Sequence, residues 1–217
     1  MEKVIDNIHF KRIGYFNLYL IKGTTGDILI DTGFICMKKK LKRWLDKHNV
    51  KLIILTHAHI DHIWNVAYLK KLYNCEVAIF KDDFKNIDNS IINSKPLNNK
   101  CILWTKLLNK CMKTFVAKPF KVDYLLKDKE QINKYGIDLK IHHLPGHTKG
   151  GIAISYDDCL FVGDALVNRF KVTPAYQNQN TTQALKSVEK IKKLKPRITF
   201  LGHDKEVPLE KLLNDLK

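Results

Sequence analysis

The stretch Thr56-His-Ala-His-Ile-Asp-His62 places four metal-grade donors, His57, His59, Asp61 and His62, within six positions. Imidazole nitrogen and carboxylate oxygen make a ligand set suited to zinc, and also to iron or manganese. The spacing lets the donors converge. The motif follows the apolar run Leu52-Ile53-Ile54-Leu55, which reads as a strand. In extended backbone His57 and His59 leave on the same side. A helix beginning at Asp61 would put Asp61 and His62 in its first turn, close to the strand end. A single His there is more often a hydrogen-bonded core residue, whereas four donors so close together predict a metal centre.

Three further donors stand far along the chain, each just past a predicted strand. His147 lies in Leu144-Pro-Gly-His-Thr-Lys-Gly150, Asp164 in Phe161-Val-Gly-Asp164 and His203 in Phe200-Leu-Gly-His203. The last two share one form: an apolar strand, a Gly, then a metal-grade side chain. Glycine lets the backbone turn sharply and lets a metal or substrate approach closely. Each residue alone reads as a polar loop residue. Taken with the 57–62 cluster they read as functional strand ends gathered at one edge. His142 and His143 lie on an alternating strand and are expected to be structural or exposed.

The elements that must position these donors follow from periodicity. Strands are expected at Lys3–Phe10, Phe16–Lys22, Asp27–Asp31, Lys51–Leu55, Cys75–Phe80, Gly136–Leu144, Gly151–Tyr156, Cys159–Val162 and Ile198–Leu201. Helices are expected from Met37, over Asp61–Tyr73 and over Thr181–Lys195, the last stopped by Pro196. Strands first, then mixed units, then strands again suit two sheets packed face to face with helices outside. One domain is expected over 1–217, with a helical insertion at about 82–119 carrying Trp104, Leu107, Leu108, Met112 and Phe115 on one face.

A composition of 45% hydrophobic and 28% charged residues supports a sizeable globular core. No apolar run is long enough to span a membrane, and the start lacks the apolar core of a signal peptide. Five scattered cysteines without a CxxC pair read as reduced thiols, so a cytoplasmic protein is expected. The net charge of +16 raises nucleic acid as a partner. Against it, nearly all the positive charge is Lys on outer helix faces, and Arg occurs only at 12, 43, 169 and 197. A small molecule is the expected partner.

The combination of His57-x-His59-x-Asp61-His62, Gly146-His147-Thr148, Gly163-Asp164 and Gly202-His203, with Asp31-Thr32-Gly33 after an early strand, resembles the metallo-β-lactamase superfamily over about residues 15–205. The resemblance implies an α/β (α+β) fold, a four-layer αββα sandwich with a binuclear metal site at one edge. His57, His59 and His147 would hold one metal; Asp61, His62 and His203 the other; Asp164 would bridge them, and Asp31 would stand behind the ligands. Two zinc ions are expected, with iron or manganese as alternatives. There are departures. Trp64 is bulky where small residues are common, and the final motif reads Leu201-Gly-His203-Asp204. Asp164, where a large class of β-lactamases has Cys, points toward hydrolases resembling glyoxalase II, the lactonases and nucleic-acid-processing members.

The implied function is hydrolysis of a small ester, thioester or lactone by a metal-bridging hydroxide, with Asp61 as catalytic proton acceptor. A metal-dependent phosphodiesterase or nuclease and an iron-dependent persulfide dioxygenase-like enzyme are the alternatives. The glyoxalase II resemblance stops at the metal core, because 14 residues follow His203 here. The insertion could pack on the sandwich, pair with a second copy in a homodimer, or cap the site. The cap is the expectation, with Trp104 on its apolar wall and Arg169 as the anchor for an anionic substrate group.

Overall fold

A computed structural model describes residues 2–85, 87, 95–97, 102, 103, 106, 107, 110 and 115–217. The first half contains β1 (Glu2–Ile5), β2 (Ile8–Ile13), β3 (Phe16–Ile21), β4 (Asp27–Ile30), α1 (Lys38–Leu45), β5 (Val50–Leu55), α2 (Ile60–Ile63), α3 (Val66–Tyr73), β6 (Glu76–Phe80) and α4 (Lys81–Phe84). After β7 (Lys95–Pro96) come β8 (Tyr124–Leu126), β9 (Gln131–Lys134), β10 (Ile137–His143), β11 (Ile152–Tyr156) and β12 (Cys159–Phe161). The chain continues through β13 (Leu166–Asn168), β14 (Val172–Pro174), β15 (Gln177–Asn178), α5 (Thr181–Leu194), β16 (Ile198–Phe200), β17 (Val207–Pro208) and α6 (Leu209–Asp215).

Two sheets carry the donors. The first runs β1-β2-β3-β4-β5-β6-β8, antiparallel up to β4 and parallel from there. The second runs β17-β16-β12-β11-β10-β9. Alternation along the strands sorts their side chains between layers. Ile28, Ile30, Leu52 and Ile54 meet Leu139, Ile141, Ile154, Phe161 and Phe200 between the sheets. Their neighbours Leu29, Ile53 and Leu55 turn the other way, onto Leu41, Trp44 and Leu45 of α1 and Val66 and Leu69 of α3. On the far side Ala153, Leu160 and Val162 meet Val188 and Ile191 of α5 and Leu212 of α6. The layers are therefore helix, sheet, sheet, helix. Central strands covered on both faces need apolar residues at every position, which is why Leu52–Leu55 does not alternate.

The expected elements are largely present, with local differences. The strand expected over Lys3–Phe10 is a hairpin, because Asp6 takes a left-handed conformation (φ 53°) and turns the chain between β1 and β2. The helix expected over Asp61–Tyr73 breaks at Asn65, whose side chain is fully buried and donates to the carbonyls of Thr32 and Phe34. The α5 helix starts as a capped helix should, with the Asn180 side chain accepting from Gln183 N at 3.0 Å. Trp104, Leu108 and Met112, on which the expected cap rests, lie outside the described residues. No helix among the described residues is long and apolar enough to cross a membrane.

Candidate metal centre

All seven expected donors meet at one edge, where the two sheets abut. They form two groups whose ligand atoms lie within 4.8 Å of one another: His57, His59 and His147; and Asp61, His62, Asp164 and His203. His57 and His59 leave the end of β5, and His59 is still extended (φ −70°, ψ 146°) as the strand-end geometry requires. Asp61 and His62 lie in the short helix α2 that follows. His147, Asp164 and His203 come from the loops after β10, β12 and β16.

Asp164 stands between the groups. Its Oδ2 is 3.7 Å from His147 Nε2 and 3.2 Å from His203 Nε2, and its Oδ1 is 3.4 Å from His62 Nε2. Asp61 Oδ2 lies 3.3 Å from His203 Nε2. The approach is close enough that a Cβ on Gly202 would fall 2.1 Å from Asp164 Oδ1 and 2.8 Å from His62 Cε1. This is the physical content of the Gly before His203: the backbone itself forms the floor of the site.

Four imidazoles are oriented through their Nδ1 atoms. His62 Nδ1 donates to Asp31 Oδ2 at 2.8 Å, His147 Nδ1 to the Gln177 carbonyl at 2.7 Å, and His203 Nδ1 to the Tyr15 carbonyl at 2.9 Å. His57 Nδ1 faces the Thr56 hydroxyl at 3.0 Å, and that hydroxyl donates to Asp31 Oδ2 at 2.7 Å. Each bond fixes the ring's tautomer and aims its Nε2 into the site. The Nε2 atoms of His57, His59, His62 and His147, and Asp164 Oδ1, are buried with no hydrogen-bond partner. Buried polar atoms are otherwise satisfied almost without exception, so converging lone pairs of this kind fit a cation.

The electrostatics of the groups differ. Burial pushes His57 well below the usual histidine range and His59 down to about 3, and it also lowers His147. These three are neutral imidazoles, the form a metal binds. Burial also disfavours charge on His62 and His203, but for His62 the carboxylates of Asp31, Asp164 and Asp61, and for His203 those of Asp164 and Asp61, outweigh it and raise both well above the usual range. Burial favours the neutral acids, yet His62 and His203 hold Asp61 down at about 2, and His203 and His62 hold Asp164 well below the usual carboxylate range. The second group concentrates negative charge and draws positive charge to itself.

Asp31 lies behind Thr56 and His62. It sits in the left-handed region (φ 59°) at the end of β4 and accepts from Thr56 N at 2.8 Å as well as from Thr56 Oγ1 and His62. A cavity of about 500 Å³ opens onto His59, Asp61, His147, Asp164 and His203, walled by Tyr15, Phe16, Phe34, Val167 and Tyr176. Arg169 lines it too, from the exposed turn between β13 and β14, and makes no hydrogen bond or ion pair among the described residues. Trp64 does not line the cavity. It backs the Phe34 wall, with ring centroids 5.3 Å apart, and Phe115 of the 82–119 segment packs on the same ring at 5.2 Å. His142 and His143 stand apart: His142 meets Ser155 Oγ, and His143 stacks on Phe80.

Sequence reasoning missed three braces. Asn17 Nδ2 and Tyr19 OH both donate to the Leu201 carbonyl, at 3.0 and 2.6 Å, and steady the His203 loop. Asn17 was visible as the polar residue in an apolar strand. Asp83 joins the His57–His59 loop to the His147 loop through hydrogen bonds to both.

The descriptive model of the metallo-beta-lactamase superfamily matches residues 14–203. A probable metallo-hydrolase of Methanocaldococcus jannaschii is 30% identical over 153 residues, covering 69% of this chain and 66% of that protein. A hydroxyacylglutathione hydrolase of Shewanella loihica is 29% identical over 182 residues, covering 81% of this chain and 57% of that protein. Among solved structures, a metallo-beta-lactamase family protein of Thermus thermophilus superposes with a TM-score of 0.73 at 22% identity, covering 98% of this chain and 79% of that one. The match takes in all seven donors and the sheet strands from β3 to β16, and the chain belongs to the metallo-beta-lactamase superfamily.

Proposed function

We propose that the chain is a binuclear hydrolase of a small ester, thioester or lactone. His57, His59 and His147 would hold one zinc ion and Asp61, His62 and His203 the other, with Asp164 within reach of both groups. The observation that carries this reading is the pair of donor groups meeting at Asp164, with buried, unpartnered lone pairs aimed between them. Seven donors exceed the four of a closed structural zinc site. Metals bound there would supply Lewis acidity and lower the pKa of water toward neutrality.

The chain's own residues do the rest. Asp61, ionised and facing the cavity beside His203, accepts the proton released as the nucleophile forms. Phe16, Phe34 and Tyr176 exclude water and receive the apolar part of the substrate. Arg169, at the cavity mouth and without an ion-pair partner among the described residues, pairs with an anionic group on it. The relative named hydroxyacylglutathione hydrolase supports an acyl substrate with anionic groups.

Elemental analysis of unchelated protein, joined to a substrate panel, tests the reading. The expected result is two zinc per chain, turnover of p-nitrophenyl acetate, simple lactones and acyl thioesters, and a lower KM for panel members carrying a carboxylate. Turnover of bis-p-nitrophenyl phosphate alone would replace it with the phosphodiesterase reading. Iron as the sole metal would replace it with the oxidative one.

A further inference from the structure

Two fully or almost fully buried carboxylates stand behind the seven donors, and one of them, Asp31, holds Thr56 and His62. The other is Asp83, in α4 at the end of β6, with no exposed surface. Its Oδ2 accepts from Ala58 N at 2.9 Å and from Thr148 Oγ1 at 2.8 Å, and its Oδ1 accepts from Gly150 N at 2.7 Å. Ala58 lies between His57 and His59. Thr148 follows His147. The three bonds therefore reach both loops that supply the three-histidine group, one loop from each sheet. A second observation agrees. A Cβ on Gly150 would lie 2.4 Å from Asp83 N and 2.7 Å from Asp83 Cβ, so the His147 loop seats on Asp83 only because position 150 has no side chain.

We propose that Asp83 is a positioning residue for the His57–His59–His147 group, as Asp31 is for His62. It fixes the backbone at Ala58, and with it the directions in which the flanking imidazoles leave. It also fixes Thr148, and with it the loop that brings His147 across from the other sheet. Hydrogen bonds to a carboxylate are roughly twice as strong as neutral ones, and a backbone N–H that loses its partner in the interior has no water to replace it. The loops do not depend on Asp83 alone. Ile152 N donates to the Thr56 carbonyl at 3.0 Å, one residue before His57. Losing Asp83 therefore loosens the histidine group without parting the sheets.

The inference rests on the two-metal reading, and the experiment separates them. Zinc is titrated into the full metal-free chain while the histidine ring nitrogens are followed by NMR, in wild type, Asp83→Asn and Thr148→Val. In Asp83→Asn the His57, His59 and His147 signals should require about 10- to 100-fold more zinc to respond, the range typical of a lost outer hydrogen-bond partner. His62 and His203 should respond as in wild type. Thr148→Val removes one bond of the three, and should shift the same group in the same direction by less. If Asp83→Asn does not fold, Thr148→Val alone decides: an unchanged three-histidine response overturns the proposal. So does a variant in which both groups weaken together, because that marks a brace of the whole fold. A wild type whose ring signals ignore zinc removes the two-metal reading, and Asp83's role with it. A wild type with two responsive groups beside an indifferent Asp83→Asn removes only the role of Asp83.

Discussion

The two halves of the chain build the same site by different means. The first sheet delivers four donors from six consecutive residues, and three of them, His57, His59 and His62, are no more than 6% exposed. The second sheet delivers one donor per strand end, and these stay more open on the whole: the side chains of His203, Asp164 and His147 are 24%, 13% and 10% exposed, with Asp61, at 18%, the exception in the first sheet. The braces differ as well. In the first half, carboxylates stand behind the ligands: Asp31 under Thr56 and His62, Asp83 under Ala58. In the second, backbone carbonyls do that work, Gln177 for His147 and Tyr15 for His203. A carboxylate makes its imidazole more basic and adds charge to the site, whereas a carbonyl mainly orients the ring. The first half is thus a preorganised, charged bed that meets the cavity with His59 and Asp61, and the second is the more open side, meeting it with all three of its donors.

Asp164 is where that division fails, because a residue of the open half touches donors of both groups. It therefore carries the largest expected effect. Asp164→Ala should lose zinc from both groups and reduce hydrolysis by on the order of 10³-fold, comparable to losing a principal electrostatic element of a site. The circular dichroism of the variant should match wild type, since a side chain facing the cavity supports no core layer. Zinc lost from one group alone would place Asp164 on that group only.

Asp31→Ala sharpens the comparison from the other side. It strips the carboxylate from Thr56 N, Thr56 Oγ1 and His62 Nδ1 at once. Zinc affinity of the second group should fall about 10- to 100-fold. The three-histidine group should fall less, since it feels Asp31 only through the Thr56 hydroxyl beside His57. A competition titration against a chelator, read as two separate affinities, measures the difference. Equal losses would mean that the bed acts as one unit.

This contrast also explains what the sequence revealed. The crowded motif at 57–62 and the Gly-Asp and Gly-His strand ends advertise themselves, because convergence of the donors shows as density in one case and as a missing side chain, where Gly202 lies against Asp164 and His62, in the other. The layer order was legible for a similar reason: apolar runs at 28–30 and 52–55 and amphipathic helices leave few ways to bury their faces. The braces were not legible. Asp83 looks like one of two acidic residues opening a short helix, and only the fold brings Ala58, Thr148 and Gly150 to it. The break at Asn65 was hidden likewise, since its partners Thr32 and Phe34 lie some thirty positions earlier in the chain. Arg169 could be singled out as a rare Arg, but its place on a turn between β13 and β14 follows from a hairpin that periodicity did not mark.

The smallest effect belongs to the open half, where bracing is shared. Tyr19 OH and Asn17 Nδ2 both donate to the Leu201 carbonyl, two residues before His203. Tyr19→Phe removes one donor and leaves the carbonyl with the other, so no buried acceptor is orphaned. The cost should be about 1 kcal/mol, the net worth of an ordinary hydrogen bond, or a fall in Tm of roughly 2–4 °C for a chain of this size. Burial pushes the Tyr19 phenol well above its usual range, so it stays protonated and donates at any working pH, and the loss should not vary between pH 6 and about 9. Zinc content should be unchanged, because the His203 ring is held by Tyr15 rather than by this bond. Thermal melts across that pH range, with zinc measured in parallel, check both halves of the expectation. A variant that also drops zinc would show that the open half is braced as tightly as the buried one, and the asymmetry between the two halves would not stand.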